Sequence, residues 1–76
     1  MNTDEKLIEI IAEVIDIDED RLSANIGPDH IEEWDSVNAL RILINIETKM
    51  GVRVPLTAYK EAKTIKELAE IIRSIG

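Results

Sequence analysis

The chain has 76 residues and a mass of 8.6 kDa, so it can form one hydrophobic core at most. A domain of this size is too small to favour a deep catalytic pocket. It has no cysteine, which excludes disulfides and thiolate metal sites, and its net charge of −7 disfavours nucleic acid and anionic membranes as partners. The acidic start is unlike a secretory signal, and no apolar run reaches the roughly 18 residues of a membrane span. We therefore expect a single cytoplasmic domain over residues 1–76, and a monomer.

Apolar residues at spacings of three and four predict a first helix from about residue 4 to about residue 16, with Thr3 or Asn2 as its N-cap. Residues 17–35 lack that period and contain the turn signal Gly27-Pro28. This stretch still carries spaced apolar residues, which predict that the long loop packs against the helices: Ile17, Leu22, Ile26, Ile31 and Trp34.

A second helix is predicted over residues 37–50, with Ser36 as its N-cap and Gly51 as its C-terminal cap. We expect this helix to be the central one, because Ile42 makes it apolar on more than one side. The alternating residues 52–55 are too few to form a strand without a partner run, and proline ends them. They predict an extended connector.

Two further helices are predicted. Thr57 can cap a short helix over residues 58–61, and Thr64 with Glu67 forms the capping-box pattern of a last helix. The apolar residues of this last helix share one face: Ile65, Leu68, Ala69, Ile72 and Ile75. The predicted fold class is all-α: a small bundle of three main helices plus one short helix, with a long loop between the first and second helices.

The residue pattern offers no credible metal or catalytic site. Asp16, Asp18 and Asp20 have the alternating spacing of the first ligands in a calcium-binding loop. However, Arg21 and Gly27 stand where that loop needs its glycine and its bidentate glutamate. His30 is the sole histidine, so no zinc site or histidine-activated nucleophile pair can be built from the usual residues. We predict a protein that is not an enzyme.

Ser36 stands where the loop turns into a helix, after the acid Asp35 and before the apolar Val37. Helix capping is the ordinary explanation of such a serine. A helix N-terminus also favours negative charge, so a phosphate attached to Ser36 would lie in a favourable field. No built-in base lies near the hydroxyl in sequence, and any modification would need another enzyme.

The run from Glu33 to Pro55 resembles the centre of acyl and peptidyl carrier proteins. In that family the motif Asp-Ser-Leu is followed by an apolar helix, a glutamate, and a short extended apolar segment that ends in proline. The run Thr64-Ile65-Lys66-Glu67-Leu68-Ala69 looks like the start of that family's final helix, and the resemblance covers nearly the whole chain. It implies that Ser36 receives 4′-phosphopantetheine from coenzyme A through a Mg²⁺-dependent phosphopantetheinyl transferase that contacts Asp35. The arm's thiol would then carry an acyl or aminoacyl group from a loading enzyme to a downstream synthase or transferase.

Departures from the family pattern concern specificity. Val37 replaces the usual leucine, and Asn38 and Arg41 stand where fatty-acid carriers favour acids. We predict that Asp35, Val37, Asn38 and Arg41 contact partners, and that the chain is a stand-alone carrier of a specialised polyketide, aminoacyl or modified-acyl pathway. The alternatives are a housekeeping fatty-acid carrier and an unmodified helical interaction module.

Cargo storage is a further expectation. Aliphatic residues on the second and last helices, without any phenylalanine, predict that a cargo chain lies between the helices. The expected walls are Leu40, Leu43, Ile44, Ile65, Leu68 and Ile72.

Overall fold

The computed structural model describes residues 3–75 and contains four α-helices: α1 (Thr3–Ile15), α2 (Ser36–Met50), α3 (Leu56–Glu61) and α4 (Ile65–Ile75). These residues contain no strand, and the predicted all-α fold class is confirmed. Buried apolar residues of all four helices, of the long loop and of the connector before α3 form one core. The predicted cap Asn2 lies outside the described residues.

Helix α1 packs against both α2 and α4, so it takes the central place that we predicted for α2. The prediction was wrong because much of the additional apolar surface of α2 faces outward. Helix α1 ends because Asp16 adopts a left-handed conformation with φ 59°. The amide of Ile17 then donates to the carbonyl of Ala12 at 3.1 Å, which satisfies a carbonyl of the last turn.

The long loop is ordered by short turns and by its apolar residues. Two 3₁₀ turns, Glu19–Arg21 and Pro28–His30, interrupt it. Leu22, Ile31 and Trp34 are buried, which confirms that the loop packs onto the helices. Arg21 also donates twice to the Glu33 carboxylate, at 2.9 and 3.1 Å, and its hydrogen bond lowers the pKa of Glu33.

The loop is joined to the start of α4 by backbone contacts. The amides of Ile65 and Lys66 donate to the carbonyls of Ile26 and Ala24, each at 2.9 Å. Gly27 is buried between these contacts, where a Cβ would collide with the carbonyl oxygen of Lys63. The loop therefore approaches α4 as closely as backbone allows, and this contact fixes the loop that leads to Ser36.

Three predicted caps differ from the observed ones. Asp35, not Ser36, is the N-cap of α2, and α3 begins at Leu56 after Pro55, so Thr57 lies inside that helix. The Thr64 hydroxyl accepts from the backbone amide of Glu67 at 3.2 Å, as predicted. The Glu67 carboxylate, however, accepts from the backbone amide of Lys63 at 2.8 Å and not from that of Thr64. The C-terminal cap Gly51, with φ 70°, is confirmed, and residues 52–55 form a connector without a strand whose last residue, Pro55, is extended.

Candidate functional site

Ser36 is the first residue of α2, and its side chain is exposed. Asp35 precedes it in an extended conformation and accepts from the amide of Asn38 at 2.9 Å through Oδ1. Asp35 thus satisfies one of the amides that a helix start leaves without a partner. The Ser36 hydroxyl is not needed as a cap, so it is available for chemistry at the positive end of the helix.

Asn38 links the loop before Ser36 to the first turn of α2. Its Nδ2 donates to the carbonyl of Glu33 at 2.8 Å, and its Oδ1 accepts from Arg41 Nη1 at 3.3 Å. Because Glu33 is also paired with Arg21, polar contacts hold the loop in place on both sides. The side chain of Asn38 therefore positions the segment that presents Ser36.

A cleft of about 370 Å³ opens beside Ser36, and we call it the Ser36 cleft. Its walls come from the long loop, the start of α2 and the short helix α3. They are mostly apolar, with one carboxylate and one ammonium group among them. The lining residues are Pro28, Trp34, Asp35, Ser36, Ala39, Leu40, Leu56, Tyr59 and Lys60.

Two aromatic residues form a hydrogen-bonded pair in the wall of the Ser36 cleft. Trp34 Nε1 donates to the hydroxyl of Tyr59 at 2.6 Å, and the two residues are only 5% and 8% exposed. The partner satisfies the indole N–H, which would otherwise be buried unpaired. Burial raises the pKa of Tyr59, and the hydrogen bond from Trp34 opposes that rise only in part.

The raised pKa of Tyr59 predicts a pH dependence of stability. The unfolded chain should lose its phenolic proton near pH 10, before the folded chain does. Stability from this group is therefore complete below about pH 10 and falls as the pH rises further, because the native state then binds more protons than the unfolded state. Absorbance titration at 295 nm reports Tyr59 alone, since the chain has one tyrosine.

The expected result of that titration is a midpoint above the value measured in denaturant. A Tyr59→Phe control should lose the 295 nm transition. A native midpoint at or below the denatured one would contradict the burial of this hydroxyl.

Helix α2 also carries an exposed apolar face. Val37, Leu40 and Ile44 are 70%, 54% and 64% exposed, and their spacing of three and four places them on one side of the helix beside Ser36. Leu40 belongs both to this face and to the Ser36 cleft. Apolar side chains grouped in this way often mark a surface that binds another protein.

The predicted site residues lie close together in the chain, but they are not equivalent. Asp35, Ser36, Val37 and Arg41 are exposed, whereas Asn38 is half-buried and engaged within the chain. The predicted cargo walls do not form one surface: Leu40 and Ile44 are exposed, while Ile65, Leu68 and Ile72 lie in the core.

Sequence reasoning missed the contribution of α3 to the site. Leu56, Tyr59 and Lys60 lie about twenty residues beyond Ser36 and match no motif, so only the fold brings them to the cleft. The burial of Trp34 was expected from its place in the loop, but its partner Tyr59 was not.

Within residues 3–75, no helix is long and apolar enough to cross a membrane.

Comparison with known proteins agrees with this geometry. A family model described as "Phosphopantetheine attachment site" matches residues 5–72, a stretch that includes Ser36 and the whole lining of its cleft. The chain is also similar to the solution NMR structure of holo acyl carrier protein from Geobacter metallireducens, with a TM-score of 0.85 and 23% identity over 99% of this chain and 86% of that chain. This likeness shows the fold. No curated protein matches the chain.

Proposed function

The chain belongs to the phosphopantetheine attachment-site family, and from this premise we propose that Ser36 is the residue that bears the 4′-phosphopantetheine arm. The observation that carries this proposal is the position of Ser36. Its hydroxyl is exposed at the first residue of α2, is released from capping by Asp35, and borders an apolar cleft. The arm supplies a thiol that holds cargo as a thioester.

The residues around Ser36 fit a phosphodiester. The first turn of α2 offers the positive end of a helix dipole, and Lys60 of α3 adds an ammonium group to the lining of the cleft. Asp35 is held by the amide of Asn38, so its carboxylate stays beside the serine without blocking the hydroxyl.

Attachment needs a second protein. The oxygen of Ser36 forms a bond to the phosphorus that bears pantetheine, while the pyrophosphate bond of coenzyme A breaks and 3′,5′-adenosine bisphosphate leaves. The serine proton passes to a base of the phosphopantetheinyl transferase, because the carboxylate of the preceding residue, Asp35, serves as the helix cap. We assign Asp35 to contact with that transferase.

The proposed role is that of a cytoplasmic carrier that moves thioester-bound acyl or aminoacyl intermediates between a loading enzyme and a synthase or transferase. We assign it to a specialised pathway, because the exposed part of α2 carries Arg41 beside the apolar face Val37, Leu40 and Ile44. The chain itself supplies the attachment residue and the docking surface, and the enzymes supply the catalysis.

The test is loading. The chain is incubated with coenzyme A, Mg²⁺ and a transferase of broad specificity, and its intact mass is measured. The expected result is the addition of one arm per chain. An unchanged mass, beside a known carrier that is loaded in the same mixture, would contradict the proposal and favour an unmodified interaction module.

Charge on α2 should decide which enzymes accept the loaded carrier. Arg41 is exposed one turn from Val37 and Ile44, so it borders the surface that enzymes would contact. A cation there repels a basic docking patch and favours an acidic or neutral one. Asn38 contributes to this surface indirectly, because its side chain holds Arg41 Nη1 and the Glu33 carbonyl.

Arg41→Glu is therefore expected to improve transfer by fatty-acid enzymes whose carrier patch is basic. Replacing repulsion by attraction at one exposed contact is worth about 1 kcal/mol, so apparent KM should fall roughly five-fold at low salt, with the gain shrinking as salt rises. Lys66→Glu makes the same charge change at an exposed residue of another helix, α4, and should have no such effect. Efficient use of the wild-type chain by those enzymes would instead support the housekeeping alternative.

Changing Arg41 alone is the cleaner experiment. Asn38→Asp would remove the Nδ2 donor to Glu33 and place a carboxylate against that carbonyl. It would disturb the loop before Ser36 as well as the surface charge, so its effect on transfer would mix the two causes.

A further inference from the structure

The Ser36 cleft meets the hydrophobic core at Trp34 and Tyr59, which line the cleft and belong to the core. Its lining residues come from the long loop, the start of α2 and α3, and none comes from α1 or α4. The innermost core residues lie on α1, α2 and α4, among them Leu7, Ile42 and Ile65 at 0% exposed, and none of them lines the cleft. A chain that starts at Ser36 therefore meets the wall of the cleft before it meets the core.

The Trp34–Tyr59 pair forms that wall. Both residues line the cleft, both are nearly fully buried, and the hydrogen bond between Trp34 Nε1 and the Tyr59 hydroxyl joins the loop to α3. Moving the two rings apart would leave the indole N–H buried without an acceptor and would separate two large apolar surfaces. The pair therefore resists opening.

The room in front of this wall is limited. At about 370 Å³ the cleft lies at the small end of ligand pockets, which span roughly 300–1,000 Å³. Its apolar walls, Ala39, Leu40 and Leu56, suit a short aliphatic group, and Asp35 and Lys60 can meet a charged substituent on that group.

We infer that the Trp34–Tyr59 pair is the specificity-determining barrier that excludes long acyl chains from the core and restricts stored cargo to short acyl or aminoacyl groups in the Ser36 cleft. This inference rests on the proposed attachment at Ser36. It replaces the expectation that cargo lies between the helices, since Ile65, Leu68 and Ile72 are buried in the core and do not line the cleft.

The experiment loads the protein with acetyl-, alanyl- and hexadecanoyl-phosphopantetheine, and intact mass first establishes that each arm is attached. Failure to attach would count against the proposed function, whereas the inference is tested only on loaded protein. The readouts are the NMR shifts of the Trp34 indole N–H, which reports the cleft, and of the Ile65 and Ile72 δ-methyl groups, which report the core.

In the wild type we expect all three arms to leave the two core methyl shifts unchanged, with the Trp34 signal moved by acetyl and alanyl. In Tyr59→Phe, which removes the acceptor and keeps the ring, hexadecanoyl should shift both core methyls while acetyl should not. Trp34→Phe removes the donor of the same hydrogen bond and should give the same result as Tyr59→Phe. Because this variant has no indole, the Leu56 methyl groups report on the cleft instead. Glu61→Gln changes an exposed residue of α3 that does not line the cleft, and it should match the wild type.

Two results would overturn the inference. Shifts of Ile65 and Ile72 in hexadecanoyl-loaded wild type would show that the core accepts long chains despite the pair. Unchanged core methyls in both Tyr59→Phe and Trp34→Phe would show that the hydrogen bond is not the barrier.

Discussion

Ser36→Ala is expected to abolish loading with phosphopantetheine completely and to leave the helical bundle folded. Loading is lost because the substitution removes the oxygen that bonds to phosphorus. The fold survives because Asp35 caps α2 and Ser36 is exposed, so the change in stability should stay within about 0.5 kcal/mol. Intact mass after incubation with coenzyme A and transferase measures the first effect, and urea unfolding measures the second.

Asp35→Ala is the matched control, because it keeps Ser36 and removes the cap. It should lose about 1 kcal/mol of stability, the usual contribution of an N-cap side chain, and still accept the arm, but more slowly because the assigned contact between Asp35 and the transferase is lost. A Ser36→Ala chain that still gains one arm would contradict the assignment of Ser36. Loss of the helical circular dichroism signal in Ser36→Ala would show that Ser36 is required for the fold.

Gly27→Ala is expected to be among the most destabilising single substitutions outside the core. The new Cβ would collide with the carbonyl oxygen of Lys63. The Cβ is fixed to the backbone of residue 27 and the oxygen belongs to the backbone of Lys63, so neither can move aside as the end of a flexible side chain can. Relief of the clash must stretch the hydrogen bonds from Ile65 and Lys66 to the loop. We expect a loss of about 2–3 kcal/mol, or a Tm lower by more than roughly 8 °C.

Gly51→Ala provides the comparison for Gly27→Ala. Gly51 needs a glycine for its left-handed φ of 70°, but a Cβ there would meet nothing within 4 Å. Its replacement should cost about 1 kcal/mol through backbone strain alone. If thermal unfolding finds Gly27→Ala no more costly than Gly51→Ala, the close approach of the loop to α4 is wrong.

The four helices could be predicted because each carries an apolar period or a terminal signal of its own. The apolar spacing of α1 and the glycine at position 51 placed helix ends within one or two residues of their observed positions. The N-cap of α2 was misplaced by one residue because Asp35 and Ser36 are both good caps in adjacent positions. The extended backbone of Asp35 and its bond to Asn38 decide the choice, and neither is visible in sequence.

Only part of the candidate site, likewise, could be predicted from the sequence. Ser36 and Asp35 form a local motif, and both were predicted from it. The cleft depends on contacts between the loop and α3, such as Trp34 with Tyr59, and no periodicity connects residues 25 positions apart. Leu40 and Ile44 were assigned to internal walls because apolar spacing on a helix does not say which of two apolar faces the core covers.

The central claim, that Ser36 carries the arm, is tested most directly by locating the modification on the loaded wild-type chain. Proteolysis followed by tandem mass spectrometry, with fragmentation that preserves the phosphodiester, assigns the added mass to a single side chain. We expect all of the added mass on Ser36, at the start of α2. Added mass on Ser23 or Ser74 instead would contradict the claim.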